Sequence, residues 1–108
     1  MIDSREMARI FKILSVDARV RIVTLLKERS MCVNALAKHL GMSPAAVSQH
    51  LRVLRDGGVV IDCRSGNFVH CSLNAETLEA WRTMTSGLLH CDSVPACCKS
   101  DRVGSCGN

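Results

Sequence analysis

Apolar and polar residues recur with helical period along most of the chain, and the stretch SPAAVSQHLRVLR at 43–55 combines a helix start, a buried stripe and a polar face. Ser43 is a good N-cap, and Pro44 suits the first turn, where a missing N–H costs nothing. Ala46, Val47, Leu51 and Leu54 fall on one side of this helix, and Ala45, Ser48, Gln49 and Arg52 on the other. Upstream, Val33, Leu36, Ala37 and Leu40 predict a short amphipathic helix. Gly41 stands where the chain must turn before the next cap. Two helices joined in this way make a helix-turn-helix.

The same periodicity organises the flanks. A helix is predicted over 3–14, capped by Asp3 or Ser4, with Met7, Ile10, Phe11 and Leu14 as its stripe. SVDARVRIVTLLKER predicts a second, with Ala18, Ile22, Leu25 and Leu26 inside and Arg19, Arg21, Lys27 and Arg29 outside. Asp56-Gly57-Gly58 ends the 43–55 helix, glycine being the residue that enters the left-handed region without steric cost. VVIDCRSGNFVHCSL then holds two β-prone runs around Ser65-Gly66, a hairpin signal with Arg64 and Asn67 beside the turn. From Ala75 to His90 the helical period returns, with Leu78, Trp81, Met84 or Thr85, and Leu88 on one face and Glu76, Glu79 and Arg82 on another. Beyond about Cys91 the composition shifts to Gly, Ser, Asp and Cys. The expected architecture is therefore mainly α with a small β-hairpin, a winged helix-turn-helix. It comprises one domain at 1–90 and a Cys-rich tail without its own core at 91–108.

The polar face at 43–55 suits duplex DNA. Ser48 and Gln49 have the length and the donors and acceptors to meet base edges in a major groove, and Arg52 reaches a guanine or a phosphate. Ser43 and Ala45 are small enough for close approach. No acidic residue lies between Glu28 and Asp56, whereas Lys38, Arg52 and Arg55 do. The segment thus meets phosphates without local repulsion along the sequence. Arg64 and Asn67 are positioned to touch backbone or minor groove from the hairpin. His50, near the buried side, reads as a hydrogen-bonded structural residue.

Composition narrows the picture. A length of 108 residues fits one small domain, and 47% hydrophobic content is enough for a core but leaves little surface to spare. The first and last helices carry excess apolar surface, which a symmetric dimer through those helices would cover. The net charge of +4 is modest, and aromatic residues are only 3%, too few for the stacking platforms used on single strands. The N-terminus shows no secretory h-region, and no apolar run is long enough to span a bilayer, so a cytoplasmic protein without a membrane partner is expected. No paired carboxylates, phosphate loop or nucleophile–base spacing stands out, and no enzymatic activity is expected. Seven cysteines, an odd count in an intracellular setting, favour thiolate chemistry over a disulfide framework.

LSVDARVRIVTLL, the block MCVNALAKHLGMSPAAVSQHLRVLRDGGVV and the SGN hairpin together resemble the ArsR/SmtB family of winged-helix, metal-sensing repressors over roughly residues 5–90. The resemblance implies a homodimer joined through its first and last helices that binds a double-stranded operator and blocks transcription. Two-fold symmetry sets the recognition helices about one DNA turn apart on a palindrome. Inducer sites known in the family are tested against the residues present. The Cys-x-Cys pattern and the further cysteine after it, at the start of the helix-turn-helix, are reduced to Cys32, with Asn34 and Ala37 at the other positions. The Asp-x-His start of the last-helix zinc site is replaced by Ala75 and Thr77, and residues 1–31 hold no cysteine.

What remains is the tail HCDSVPACCKSDRVGSC, and similar tails occur in arsenite-responsive members of the family. Soft ligands select soft ions, and trivalent arsenic takes three thiolates. Cys97, Cys98 and Cys106 are the expected As(III) ligands, with Cys91 as the main substitute and Cys32 behind it. A methylated trivalent arsenical needs only the vicinal pair. Cadmium or zinc is the alternative through Cys91, Cys97, Cys98, Cys106 or His90. Cys63 and Cys71, on the wing strands, read as half-buried small hydrophobes. Two further readings stand beside the metal sensor: a thiol-redox or persulfide-responsive repressor using Cys32 and Cys91, and a metal-buffering protein without DNA binding.

Overall fold

The computed structural model describes residues 3–93. In chain order these form α1 (Ser4–Ile13), α2 (Asp17–Leu26), α3 (Val33–Leu40), α4 (Pro44–Asp56), β1 (Val60–Ser65), β2 (Phe68–Leu73) and α5 (Ala75–Leu89). The strands pair antiparallel as a two-stranded hairpin, the wing. Helices α2, α3 and α4 pack on one another, α4 meets β1, and α1 lies against α5. Among the described residues no helix is long and apolar enough to cross a membrane.

Local chemistry fixes the element ends. Asp3 caps α1 by accepting from the N–H groups of Arg5 and Glu6, and Asn74 caps α5 from Glu76 and Thr77. Helix α3 closes at Gly41, in the left-handed region at φ 68°, with the Met42 N–H donating to Ala37 C=O at 3.1 Å. This is a Schellman closure followed at once by the Ser43 cap, whose hydroxyl accepts from the Ala46 N–H at 3.1 Å. Helix α4 closes in the same way at Gly58, φ 84°, with Val59 N–H to Leu54 C=O at 3.0 Å and Gly58 N–H to Arg55 C=O at 2.9 Å. Gly57 serves a different end. Its φ is an ordinary −80°, but a Cβ there would lie 2.7 Å from Ile13 Cδ1, so glycine lets the end of α1 press against the end of α4.

The core joins Ile10, Ile22, Leu36, Val47, Leu51, Leu54, Val59 and Val60, all fully buried, with Trp81 from α5 sealing one side. Several expected positions shift. On α1 the buried residues are Met7, Ile10 and Ile13; Phe11 is 41% exposed and Leu14, the C-cap, is half-buried. The helix ends one residue earlier than a stripe through Leu14 requires, and Ile13 closes its inner face. Ala18 and Leu25 on α2 are half-buried rather than inside. On α5, Leu88 is 46% and Leu89 71% exposed, because that helix runs past the core. The hairpin turn is Gly66-Asn67 rather than Ser65-Gly66: Ser65 pairs with Phe68, and Gly66 takes φ 64°. A hairpin turn needs its positive φ at the first central residue, which places glycine there and moves Arg64 one pair back from the tip.

Candidate nucleic-acid interface

Helix α4 presents Ala45, Ser48, Gln49 and Arg52 to solvent, while Val47, Leu51 and Leu54 on its other side hold it in the core. Ser48, Gln49, Arg52 and Arg55 line a shallow concavity of about 320 Å³. Such a surface offers hydroxyl, carboxamide and guanidinium groups along two helical turns, the set that reads base edges and anchors on phosphates. Ser43, exposed at the helix start, uses its oxygen for capping and retains its O–H as a donor. On the wing, Arg64 and Asn67 are both exposed, Asn67 in the turn itself and Arg64 opposite Val69.

Two side-chain links that hold this surface in place leave no mark in the sequence pattern. Arg19, expected outside, is half-buried: its Nη1 donates to Ile13 C=O at 3.2 Å, and its Nε donates to His50 Nδ1 at 3.4 Å. It thus satisfies a carbonyl left over at the end of α1 and ties α1 and α2 to the recognition helix. The structural role expected of His50 is thereby given a partner. The second link is Arg55 Nε to Asp62 Oδ2 at 3.5 Å, from the last turn of α4 to β1. Linear spacing hides it, since the end of α4 and the Gly57-Gly58 turn separate the two residues. A carboxylate does therefore enter a surface that along the sequence contains none.

The thiols divide by environment. Cys71 is fully buried and donates to Asp62 Oδ1 at 3.8 Å; its backbone exchanges two hydrogen bonds with Met31, at 2.8 and 3.1 Å. Burial, reinforced by the Asp62 charge, pushes its thiol above the ordinary value, so it remains a protonated donor. Cys63, expected half-buried, is exposed, because odd-numbered β1 residues sit on the outer face of the hairpin; it lies 3.3 Å from the Ser72 hydroxyl. Cys32 is half-buried at the N-cap of α3. Cys91 is exposed, its thiol donating to Ser93 C=O at 3.1 Å. Among the described residues, no three His, Cys, Asp or Glu side chains converge on a point that could hold a metal ion. Cys97, Cys98 and Cys106 lie outside the described residues.

Comparison with known proteins adds a frame to this geometry. The family model described as "Bacterial regulatory protein, arsR family" matches residues 17–62, which run from α2 through the helix-turn-helix into β1. The chain is 36% identical over 73 residues to the transcriptional repressor SdpR of Bacillus subtilis, covering 68% of this chain and 81% of that one. It is 38% identical over 74 residues to the arsenical resistance operon repressor of Escherichia coli, covering 68% of this chain and 62% of that one. A crystal structure of a possible transcriptional regulator for arsenical resistance superposes with a TM-score of 0.68 at 32% identity, over 76% of this chain and 85% of the other.

Proposed function

The chain belongs to the arsR family of bacterial regulatory proteins, and from that premise we propose that it is a homodimeric repressor released from a palindromic operator by a soft, thiophilic inducer, As(III) first. The observation that carries the DNA half is the exposed Ser48–Gln49–Arg52 face of α4 on a helix locked into the core by Val47, Leu51 and Leu54. Ser43 and Ala45 allow close approach at the helix start, Gln49 and Ser48 read bases, Arg52 binds a guanine or phosphate, and Arg64 and Asn67 follow the adjacent backbone. The dimer half draws on α1 and α5, where Phe11, Leu88 and Leu89 remain exposed on one protomer. Covering those side chains with a second copy removes that apolar surface from water and sets the two α4 helices on one face of the duplex.

For the inducer, donor chemistry decides. The described residues bring no second sulfur beside Cys91, and the site we propose is the trio Cys97, Cys98 and Cys106, with Cys91 as the substitute and Cys32 behind it. Thiolates on one segment select As(III), a methylated trivalent arsenical or cadmium over hard ions; zinc is the borderline member. Support comes also from the relative named for arsenical resistance. The domain would be residues 1–90, with 91–108 as the sensing tail in a cytoplasmic protein. Inducer and operator oppose each other, and linkage requires operator DNA to weaken inducer binding by the same factor, with a coupling of about 1–3 kcal/mol.

The test is to recover a duplex from a random library with the reduced protein, then measure As(III) affinity with and without it. A lower affinity for As(III) on the DNA complex supports the proposal, and equal affinities refute it. Release by oxidant or persulfide dependent on Cys32, with no response to arsenite, cadmium or zinc, would instead favour the thiol-redox reading.

A further inference from the structure

Where the last turn of α4 meets the wing, three side chains form a relay from the core to the DNA face. Cys71 is fixed twice over, by burial and by its paired backbone bonds to Met31. It sits directly across the hairpin from Asp62 and donates to one carboxylate oxygen at 3.8 Å. The other oxygen meets Arg55 Nε at 3.5 Å. Arg55 in turn shares its concavity with Ser48, Gln49 and Arg52. A wing carboxylate thereby lies against a guanidinium of the DNA face.

Folding does not require this pair. The side chains of Arg55 and Asp62 are 42% and 40% exposed, and an ion pair so open to water adds little to stability. For affinity alone Asp62 is unfavourable, since a carboxylate on a phosphate-facing surface offsets one cation wherever the pair does not seat on a phosphate. A group that withholds one cation except where a contact forms in a single geometry favours discrimination. The contact uses Nε, so the terminal nitrogens of the guanidinium fork remain for a phosphate.

We infer that Asp62 is a specificity-determining residue of the DNA face: it holds Arg55 so that the guanidinium meets a phosphate only where the recognition helix and the wing dock together. This rests on the DNA-binding reading above. Arg55 is then a backbone contact that positions the protein, and Asp62 acts through it. On non-cognate DNA, where helix and wing do not seat together, the carboxylate keeps Arg55 occupied. On the cognate duplex the wing carries the pair into register.

The experiment compares wild type with Asp62→Asn, Arg55→Ala and Arg55→Lys as full-length reduced protein. The probes are the duplex selected from a random library and a scrambled duplex of equal length, titrated by anisotropy between 50 and 200 mM salt. Asp62→Asn should steepen the salt slope on the scrambled duplex by about 0.9, a gain in affinity that grows about threefold from 200 to 50 mM. The ratio of selected to scrambled affinity should fall about five- to tenfold. Arg55→Ala should flatten the slope on the selected duplex by about 0.9. Arg55→Lys keeps the charge but not the fork, and should retain the slope while losing the ratio. A ratio within about twofold of wild type in both Asp62→Asn and Arg55→Lys overturns the inference. If the wild type selects no duplex at all, the DNA-binding reading fails with it; if it selects one and the variants keep the ratio, this inference alone fails.

Discussion

Replacing Arg19 with methionine keeps the apolar stem and removes the guanidinium that ties α1 and α2 to the recognition helix. Two hydrogen bonds are lost, one to Ile13 C=O at 3.2 Å and one to His50 Nδ1 at 3.4 Å, both part-buried. A bond from a charged donor contributes about 1.5–3 kcal/mol. Partial exposure places the first at the low end, about 1.5 kcal/mol, and the length of the second limits it to about 0.5 kcal/mol. The sum, about 2 kcal/mol, lowers the urea midpoint by about 1 M for an m-value of about 2 kcal/mol/M. Trp81, the single tryptophan and buried in the core, reports the transition by fluorescence at fixed protein concentration. Adding His50→Phe to Arg19→Met should cost about 0.5 kcal/mol less than the two single effects added together. Affinity for the selected duplex should fall with the salt slope unchanged, because Arg19 works through α4 and not on a phosphate. A midpoint within about 0.2 M of wild type would show that the link carries no load and refute the reasoning.

The reading face gives a paired expectation. Gln49→Ala should relax sequence preference at one base position by about 1–3 kcal/mol, read by repeating the duplex selection, whereas Arg52→Ala should weaken all duplexes alike and flatten the salt slope by about 0.9 if its contact is a phosphate. At high pH the buried Cys71 thiol matters. Its folded value is raised above the ordinary 9.0, so the unfolded chain loses the proton first, and stability falls as pH climbs from about 9 towards the folded value. Cys71→Ala should start less stable, by about 1 kcal/mol for the cavity, but show a shallower decline above pH 9, measured by urea unfolding from pH 7 to 10.5.

Legibility in the sequence followed how local each determinant is. The α3–α4 unit was readable because its signals lie within a few residues: Gly41 at positive φ, the Ser43 cap, Pro44 in the first turn, and the stripe of Val47, Leu51 and Leu54. The hairpin is readable to within one residue, because either neighbour of Gly66 can complete a two-residue turn with it. The end of the recognition helix was placed correctly, but the two glycines have separate reasons, one conformational at Gly58 and one steric at Gly57 against Ile13. What was not readable is tertiary. Arg19 with His50, and Arg55 with Asp62, are pairs between elements, and no periodicity within one element announces them. The exposure of Phe11 and Leu88 has a related origin, since a stripe shows that a face is apolar but not what covers it.

The most direct measurement for the account as a whole is release of a fluorescent selected duplex by arsenite, compared between wild type and Cys97→Ser/Cys98→Ser. The account predicts that arsenite lowers the anisotropy of the wild-type complex to that of free DNA, and that the double variant binds the duplex as tightly but no longer releases it. Release that persists undiminished in the double variant would contradict the tail as the sensing site and move the inducer to Cys32 and the body of the domain.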